Sequence, residues 1–342
     1  MGAIGDGAER WPDGLYLDFR LTSAGKTKDC NMTKVKTLGE VARLWEDDKR
    51  HYVKYSTISA YRLILQIHIL PAFGNRSDIS EKDIRQFTLD KLDSGLSRKS
   101  VTDILVVLKM IMRFGKKTGI WKYREWDIRL PAAGERHKID VLDTADYLRI
   151  LDYLRSDISR ANLGIYICLT TGIRIGEVCA LKWSDIDLKG GVIRIRQTIE
   201  RIYILDNGIG RTELVIGPPK TQNSIRDIPI VSELKTLLEG CPKPNDTDSY
   251  ILTGSLRPTE PRTYRNYYSR MLERLGIPHI KFHSLRHSFA TMCIKSGCDY
   301  KAVSSILGHS DIRTTLNLYV HPGLEQKRQC IDMMFNSVTG RR

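Results

Sequence analysis

His283 and Arg286 stand three apart in FHSLRHSFA, and His309 and Tyr319 lie ten apart in LGHSDIRTTLNLY. With Arg174 in TTGIRIGEV and Lys220 in PPKTQNSIRDIPI, they form a set of side chains suited to phosphodiester chemistry without a metal. A phenol with an ordinary pKa of about 10 is a poor nucleophile near neutral pH, so attack on phosphate needs surrounding cations. This set supplies them. Read singly, each member has a plainer meaning. His283 and Arg286 could be exposed charges at a helix start, Tyr319 a packed aromatic, Lys220 a solvated loop lysine and Arg174 a surface charge.

Their positions depend on the elements that carry them. His283 and Arg286 fall on one helical face and can converge on one ligand. Arg174 follows the Thr171-Gly172 break at a helix start, where the positive end of the dipole adds to its pull on phosphate. Lys220 lies in a polar stretch between two strands, where a mobile hairpin could carry it to a leaving oxygen. Gly308 precedes His309, and Tyr319 lies beyond what reads as a Thr-capped turn.

The chain has 342 residues, long for one hydrophobic core and suited to two domains. Residues 1–36 read as an irregular arm in which only GLYLDFRL alternates as a strand would. Residues 37–129 read as a helical domain, 130–140 as a linker rich in proline, glycine and charge, and 141–342 as a second domain with a C-terminal tail. Thr37 and Glu40 form a capping box before the first helix. A second helix, TISAYRLILQIHILPAF, is expected to end near Pro71, and a third to start from Ser80. From Ser97 a fourth carries Val101, Ile104, Leu105, Leu108, Ile111 and Met112 as an apolar stripe, with Lys99, Lys109, Arg113 and Lys116 off it as a basic outer face. Residues 144–189 read helical. VIRIRQTI, RIYILD, ELVIG and RDIPI then alternate like strands, with Asp206-Asn207-Gly208 as a turn, and helix resumes after Val231. The fold class is therefore mainly α with a small antiparallel β-sheet.

The formal charge is +14, made of +1 in residues 1–36, +5 in 37–135 and +8 in 136–342. Basic charge spread over both large segments favours a polyanion on an extended surface. No apolar run reaches the roughly 18 residues of a membrane span, and no stretch before the cysteines reads as a secretory signal. The 7 cysteines are scattered and contain no Cys-x-x-Cys pair, which argues against a disulfide framework or zinc module and for a reducing cytoplasm. His287, four residues after His283, could pair with it on zinc, but no third ligand has a persuasive spacing, so a structural His287 is favoured.

TTGIRIGEVCALKWSDID, PPKTQNSIRDIPI, HSLRHSFAT and LGHSDIRTTLNLYVH, in this order and spacing, resemble the tyrosine recombinases, also called phage integrases. The stretch from TLGEVARLWEDDKR to LSRKSVTDILVVLKMIMRFGKKTGI resembles that family's core-binding domain. The resemblance implies a helical core-binding domain joined to a tyrosine recombinase catalytic domain. It implies that Arg174 and Arg286 grip the scissile phosphate, that Lys220 protonates the departing 5′ oxygen and that His283 assists proton transfer at the tyrosine. His309 would hydrogen-bond a phosphate oxygen, and Glu177 would orient Arg174. Tyr319 would attack phosphorus to give a 3′-phosphotyrosine and a free 5′-hydroxyl, with no metal or other cofactor. Expected partners are double-stranded DNA at attachment or core sites and further protomers in a tetramer on paired sites. The family pattern leaves room for an accessory DNA-bending or excision factor. The segment VHPGLEQKRQCIDMMFNSVTGRR would place a helix with Ile331, Met334 and Phe335 on a neighbouring protomer.

Two other readings use the same residues. A type IB topoisomerase-like enzyme would form the same covalent bond to relax supercoils, and a catalytically silent DNA-binding regulator would keep only the scaffold. Occupancy of all the expected positions argues against the silent protein. The LGHSDIRTTLNLYVH arrangement and the helical first domain favour the recombinase. Residues 1–36 are too short for the additional arm-binding domain of larger integrases.

Overall fold

The computed structural model describes residues 36–123, 125–131, 140–206, 209–219, 221–319 and 324–340. The expected N-terminal arm and most of the expected linker lie outside the described residues. The first domain begins where its capping signal stands. Thr37 N–H donates to the Glu40 carboxylate at 2.8 Å, the Glu40 N–H donates to Thr37 Oγ1 at 3.4 Å, and α1 runs Leu38–Lys49.

α2 (Tyr55–Ile64), a π turn (Leu65–Ile69) and α3 (Leu70–Phe73) follow one another directly. The helical path thus runs past Pro71 instead of ending there. The wider turn lets the Leu70 N–H donate back to Leu65 O, and the missing N–H of Pro71 falls in the first turn of α3, where it costs least. α4 (Glu81–Asp93) starts from a second capping box, Ser80 with Asp83, and α5 (Arg98–Lys117) from Ser97. Every residue of the expected stripe on α5 is buried, packed with Leu38, Val41 and Trp45 of α1 in one core. The off-stripe cations have partners, although Lys99 and Lys116 stay exposed. Lys109 lies 5.3 Å from the Trp126 ring centre and Lys116 5.8 Å from that of Tyr123, while Arg113 pairs with Glu125 at 3.3 Å and Lys99 with Asp103 at 3.2 Å. The segment after α5 folds back along it and occupies much of the basic face.

The second domain opens with α6 (Thr144–Ser156), α7 (Arg160–Thr171) and α8 (Ile175–Ala180). Helix therefore stops at Ala180 instead of continuing to residue 189. Trp183 N–H donates to Ser249 O at 3.0 Å and Ser184 N–H to Thr247 O at 2.7 Å, so tertiary partners take donors that a helix would have used. A 3₁₀ turn then leads into β1 (Ile186–Asp187). β2 (Val192–Ile195), β3 (Thr198–Asp206), β4 (Ile209–Gly217) and β5 (Arg226–Pro229) follow. They form two sheets where one was expected: an antiparallel β1-β2-β5 and a separate β3-β4 hairpin in which Asp206 pairs with Ile209. The stretch carrying Lys220 joins strands of different sheets and is not a hairpin turn.

α9 (Ser232–Gly240), α10 (Pro261–Arg274), α11 (His283–Lys295), α12 (Tyr300–Leu307), α13 (Ile312–Tyr319) and α14 (Leu324–Thr339) complete the domain. α7 is its axis, with Leu163, Ile165, Tyr166, Ile167 and Leu169 all buried, as an apolar helix without a polar stripe must be. The two domains keep separate cores. They meet where Ser59 of α2 donates to Tyr203 O of β3 and Lys54 Nζ donates to Pro219 O at 3.1 Å. Among the described residues no helix is long and apolar enough to cross a membrane.

Candidate active site

The buried α7 ends at Gly172, whose backbone is left-handed (φ 65°), and this turn sets Arg174 as the first flanking residue of α8. A Cβ on Gly172 would stand 2.5 Å from Phe289 Cδ1, so both conformation and space require glycine. The Gly172 carbonyl accepts from Arg286 Nη1 at 2.9 Å, joining the α7 terminus to α11.

Three guanidinium groups converge on the carbonyl end of α12. Arg226 Nε donates to Ile306 O at 2.5 Å, Arg286 Nη2 to Leu307 O at 2.7 Å, and Arg174 Nη2 to Gly308 O at 3.4 Å. The partial negative charge of a helix C-terminus suits cations there. Glu177, with a side chain 1% exposed, supplies the countercharge. Its carboxylate accepts from Arg174 Nη1 at 2.8 Å, from the Arg174 N–H at 2.9 Å, and from Arg226 at 2.9 and 3.2 Å. Burial alone would raise the Glu177 pKa, but Arg226 and then Arg174 hold it below the usual carboxylate range. Glu177 thus stands against Arg174, where it was expected. Arg226 was not anticipated, although the alternation of β5 places it inward with Ile228, and a buried arginine demands a carboxylate.

Arg286 is 2% exposed. Burial and then Arg174 lower its pKa, yet it remains a cation at neutral pH. Its bonds to two carbonyls leave further N–H groups of the fork for an anion. His309 follows the left-handed Gly308 and bonds through Nδ1 to the buried Thr315 Oγ1 at 2.8 Å. The threonines expected to cap a turn lie inside α13 instead, and Thr315 is a second partner that sequence reading missed. Burial, then Arg286, Arg174 and Arg226, push His309 down to about 3, so the ring is neutral. When Thr315 donates to Nδ1, the ring proton sits on Nε2.

Tyr319 ends α13 and is 8% exposed. Its hydroxyl meets Nδ1 of His287 at 2.5 Å. His283 was expected beside the phenol, but here it stands edge-on behind His287, with ring centres 4.6 Å apart. Helical spacing explains this: His287 follows Arg286 directly and lies one turn beyond His283, on the face turned to α13. Burial pushes the Tyr319 phenol above its ordinary value, and Arg286 and Arg174 reduce that rise without cancelling it. Resident cations alone therefore do not produce a phenolate. His283 and His287 are both lowered, first by burial, His283 then by His287 and Arg286, and His287 by Arg286.

Arg174, Arg286, His309 and Tyr319 thus come together in one chain, with Glu177 and His283 at their edges. Lys220 lies outside the described residues, between Pro219 and Thr221. The arrangement offers cations and neutral imidazoles to an anion, and a phenol beside a proton acceptor. Among the described residues no group of His, Cys, Asp and Glu is arranged to hold a metal.

Residues 140–325 match the phage integrase family and residues 37–92 match the phage integrase N-terminal SAM-like domain. A tyrosine recombinase XerC-like protein of Caldanaerobacter subterraneus subsp. tengcongensis is 34% identical over 94% of this chain and 85% of its own length. The ICEBs1 integrase of Bacillus subtilis is 25% identical over 80% of this chain and 76% of its own. Among solved structures, the Tn1549 transposon integrase in complex with a circular intermediate DNA has the same fold, with TM-score 0.71 and 22% identity over 87% of this chain and 99% of that one. A lambda integrase tetramer bound to a Holliday junction matches at TM-score 0.56 and 21% identity, over 81% of this chain and 78% of that one.

Proposed function

The chain belongs to the phage integrase family of tyrosine recombinases, and from that premise we propose the part each residue takes in cutting and rejoining DNA. The enzyme is a site-specific DNA recombinase that works through a covalent 3′-phosphotyrosine. Arg174 and Arg286 hold the non-bridging oxygens of the scissile phosphate and stabilise its pentacoordinate transition state. His309 donates a hydrogen bond to the same phosphate. Tyr319 attacks phosphorus, Lys220 protonates the departing 5′ oxygen, and His283 serves proton transfer at the tyrosine. Glu177 orients Arg174. The bond to tyrosine conserves the energy of the phosphodiester, so the 5′-hydroxyl of another strand can reverse the step without ATP.

The observation that most supports this reading is the placement of the Tyr319 hydroxyl among groups coupled to Arg286 and Arg174, in a single chain. We assign residues 37–129 to core-site DNA binding and 141–342 to catalysis, with 130–140 as the linker that lets the two enclose a duplex. The working form is a tetramer on paired attachment or core sites, as in the lambda integrase complex, acting in the cytoplasm on a mobile element's DNA. α14 exposes Leu324, Ile331, Met334, Phe335 and Val338, an apolar set suited to docking on the adjacent protomer. An accessory DNA-bending or excision factor fits the same scheme. The experiment is strand exchange between two DNA fragments carrying candidate attachment sites taken from the DNA that flanks the gene, run beside relaxation of a supercoiled plasmid. Recombinant products that require both sites are expected. Relaxation with no exchange would replace the recombinase with a topoisomerase.

A further inference from the structure

We propose that His287, not His283, directly takes the phenolic proton of Tyr319 during strand cleavage and returns it during rejoining. The inference rests on the covalent chemistry proposed above. Of the two rings, only His287 has a nitrogen within hydrogen-bonding distance of the nucleophile among the described contacts, at 2.5 Å. The Tyr319 ring is tilted 50° to it with centres 5.6 Å apart, an arrangement that points the hydroxyl at the imidazole edge and does not stack the faces.

A group with this task must be neutral before cleavage. Arg286 and His283 face His287 from its own helix, and Tyr319 faces it from α13. Arg174 and Glu177 act on the His283 ring, and His283 in turn acts on His309. Burial, and then the Arg286 charge, keep His287 below its ordinary value of about 6.5, so at neutral pH it is a free base. Tyr319 needs such a base, since its own pKa is raised.

The step balances. As the phenolic oxygen bonds to phosphorus, its proton passes to His287 Nδ1, the bond from phosphorus to the 5′ oxygen breaks, and that oxygen gains a proton from Lys220. In rejoining, the attacking 5′-hydroxyl gives its proton to the neutral Lys220 as its oxygen bonds to phosphorus, the bond from phosphorus to the tyrosine oxygen breaks, and Nδ1 returns the proton to the phenolic oxygen. When the scissile phosphate arrives, its negative charge offsets the cations and favours the imidazolium that forms. His283, more exposed and in edge contact with His287, acts through it.

The test uses the full chain and a nicked duplex carrying a site it cleaves, found by screening the DNA that flanks its gene, with sulfur replacing the 5′ bridging oxygen at the cut. A thiolate leaves without protonation, so Lys220 no longer limits the rate and nucleophile activation is isolated. His287→Ala and His287→Asn should both slow covalent complex formation at pH 7 by about 10²–10⁴-fold, the usual worth of a general base. Asparagine keeps a polar atom near Nδ1 but cannot take the proton, and it guards against a folding defect in the alanine variant. Added imidazole should restore cleavage to His287→Ala, and both variants should speed up as pH approaches the phenol's own pKa. The parent should lose activity in acid with a midpoint below 6.5, a limb absent from both variants. Variants within threefold of the parent, or slowed with no recovery by imidazole or alkali, would overturn the assignment. Tyr319→Phe, run in parallel, separates the two claims: if it still forms the covalent complex, the nucleophile itself is wrong, whatever His287 does.

Discussion

Glu177 is where stability and catalysis meet, and its replacement tests the electrostatic frame quantitatively. Its side chain is 1% exposed, that of Arg226 is 6% and that of Arg174 is 35%. Glu177→Ala leaves the buried Arg226 charge, among the described residues, with the Ile306 and Ser224 carbonyls as hydrogen-bond partners and no carboxylate. Breaking a buried pair by removing one member costs about 3–5 kcal/mol. For a domain of some 200 residues, with about 2–4 °C per kcal/mol, that predicts a melting temperature lower by roughly 6–20 °C. The double variant Glu177→Leu with Arg226→Met should recover most of this loss, because apolar groups of similar volume replace buried ion pairs at little cost. Covalent complex formation should not recover, since Arg174 still lacks its carboxylate. The sign with pH is also fixed. A carboxylate whose folded pKa lies below its unfolded value of about 4.5 contributes stability above that pH and loses it as pH falls through the folded value. The parent should therefore lose this increment in acid below pH 4.5, and Glu177→Gln should show a flatter dependence there. Circular dichroism melts at pH 3–7, with cleavage assays on the same preparations, provide the measurement. A single-variant shift under 2 °C, or a double variant that regains activity along with stability, would refute the reasoning.

Other outcomes follow from particular contacts. Gly172→Ala forces a Cβ into a left-handed residue and against Phe289, so urea unfolding should show a loss of at least 1–3 kcal/mol, with reduced cleavage because Gly172 O helps fix Arg286. Thr315→Val removes the hydroxyl that holds His309 Nδ1; stability should fall by about 1 kcal/mol, and single-turnover cleavage should slow more than DNA binding weakens. Truncation after Gly323 should leave a chain that binds one site but elutes from gel filtration with DNA below the size of the paired-site complex. An unchanged elution would place α14 on its own protomer.

Much of this structure was legible because its causes are local. The capping boxes at Thr37 and Ser80 and the stripe on α5 depend on neighbours within a few residues, and they appear where the pattern put them. The break at Gly172 was visible for the same reason. What escaped depends on distant partners. Pro71 was read as a terminator because the preceding π turn has no strong sequence signal, and the strand pattern could not say that β3 and β4 leave the sheet of β2 and β5. At the site, residue types identified the set, but tertiary approach chose the contacts. Arg226 reaches Ile306 O because α12 packs on β5, and Thr315 reaches His309 because α13 packs on α12. For His287 the sequence favours a structural role over a zinc ligand, although its spacing from His283 already places it on the same face.

The most direct test of the account is to trap the covalent complex on a nicked duplex carrying a site from the DNA that flanks the gene, digest it and sequence the peptide that retains the nucleotide. The account predicts a single modified residue, Tyr319, joined to a 3′-phosphate, and no adduct with Tyr319→Phe. An adduct on any other residue, or strand cleavage that persists in Tyr319→Phe, contradicts it.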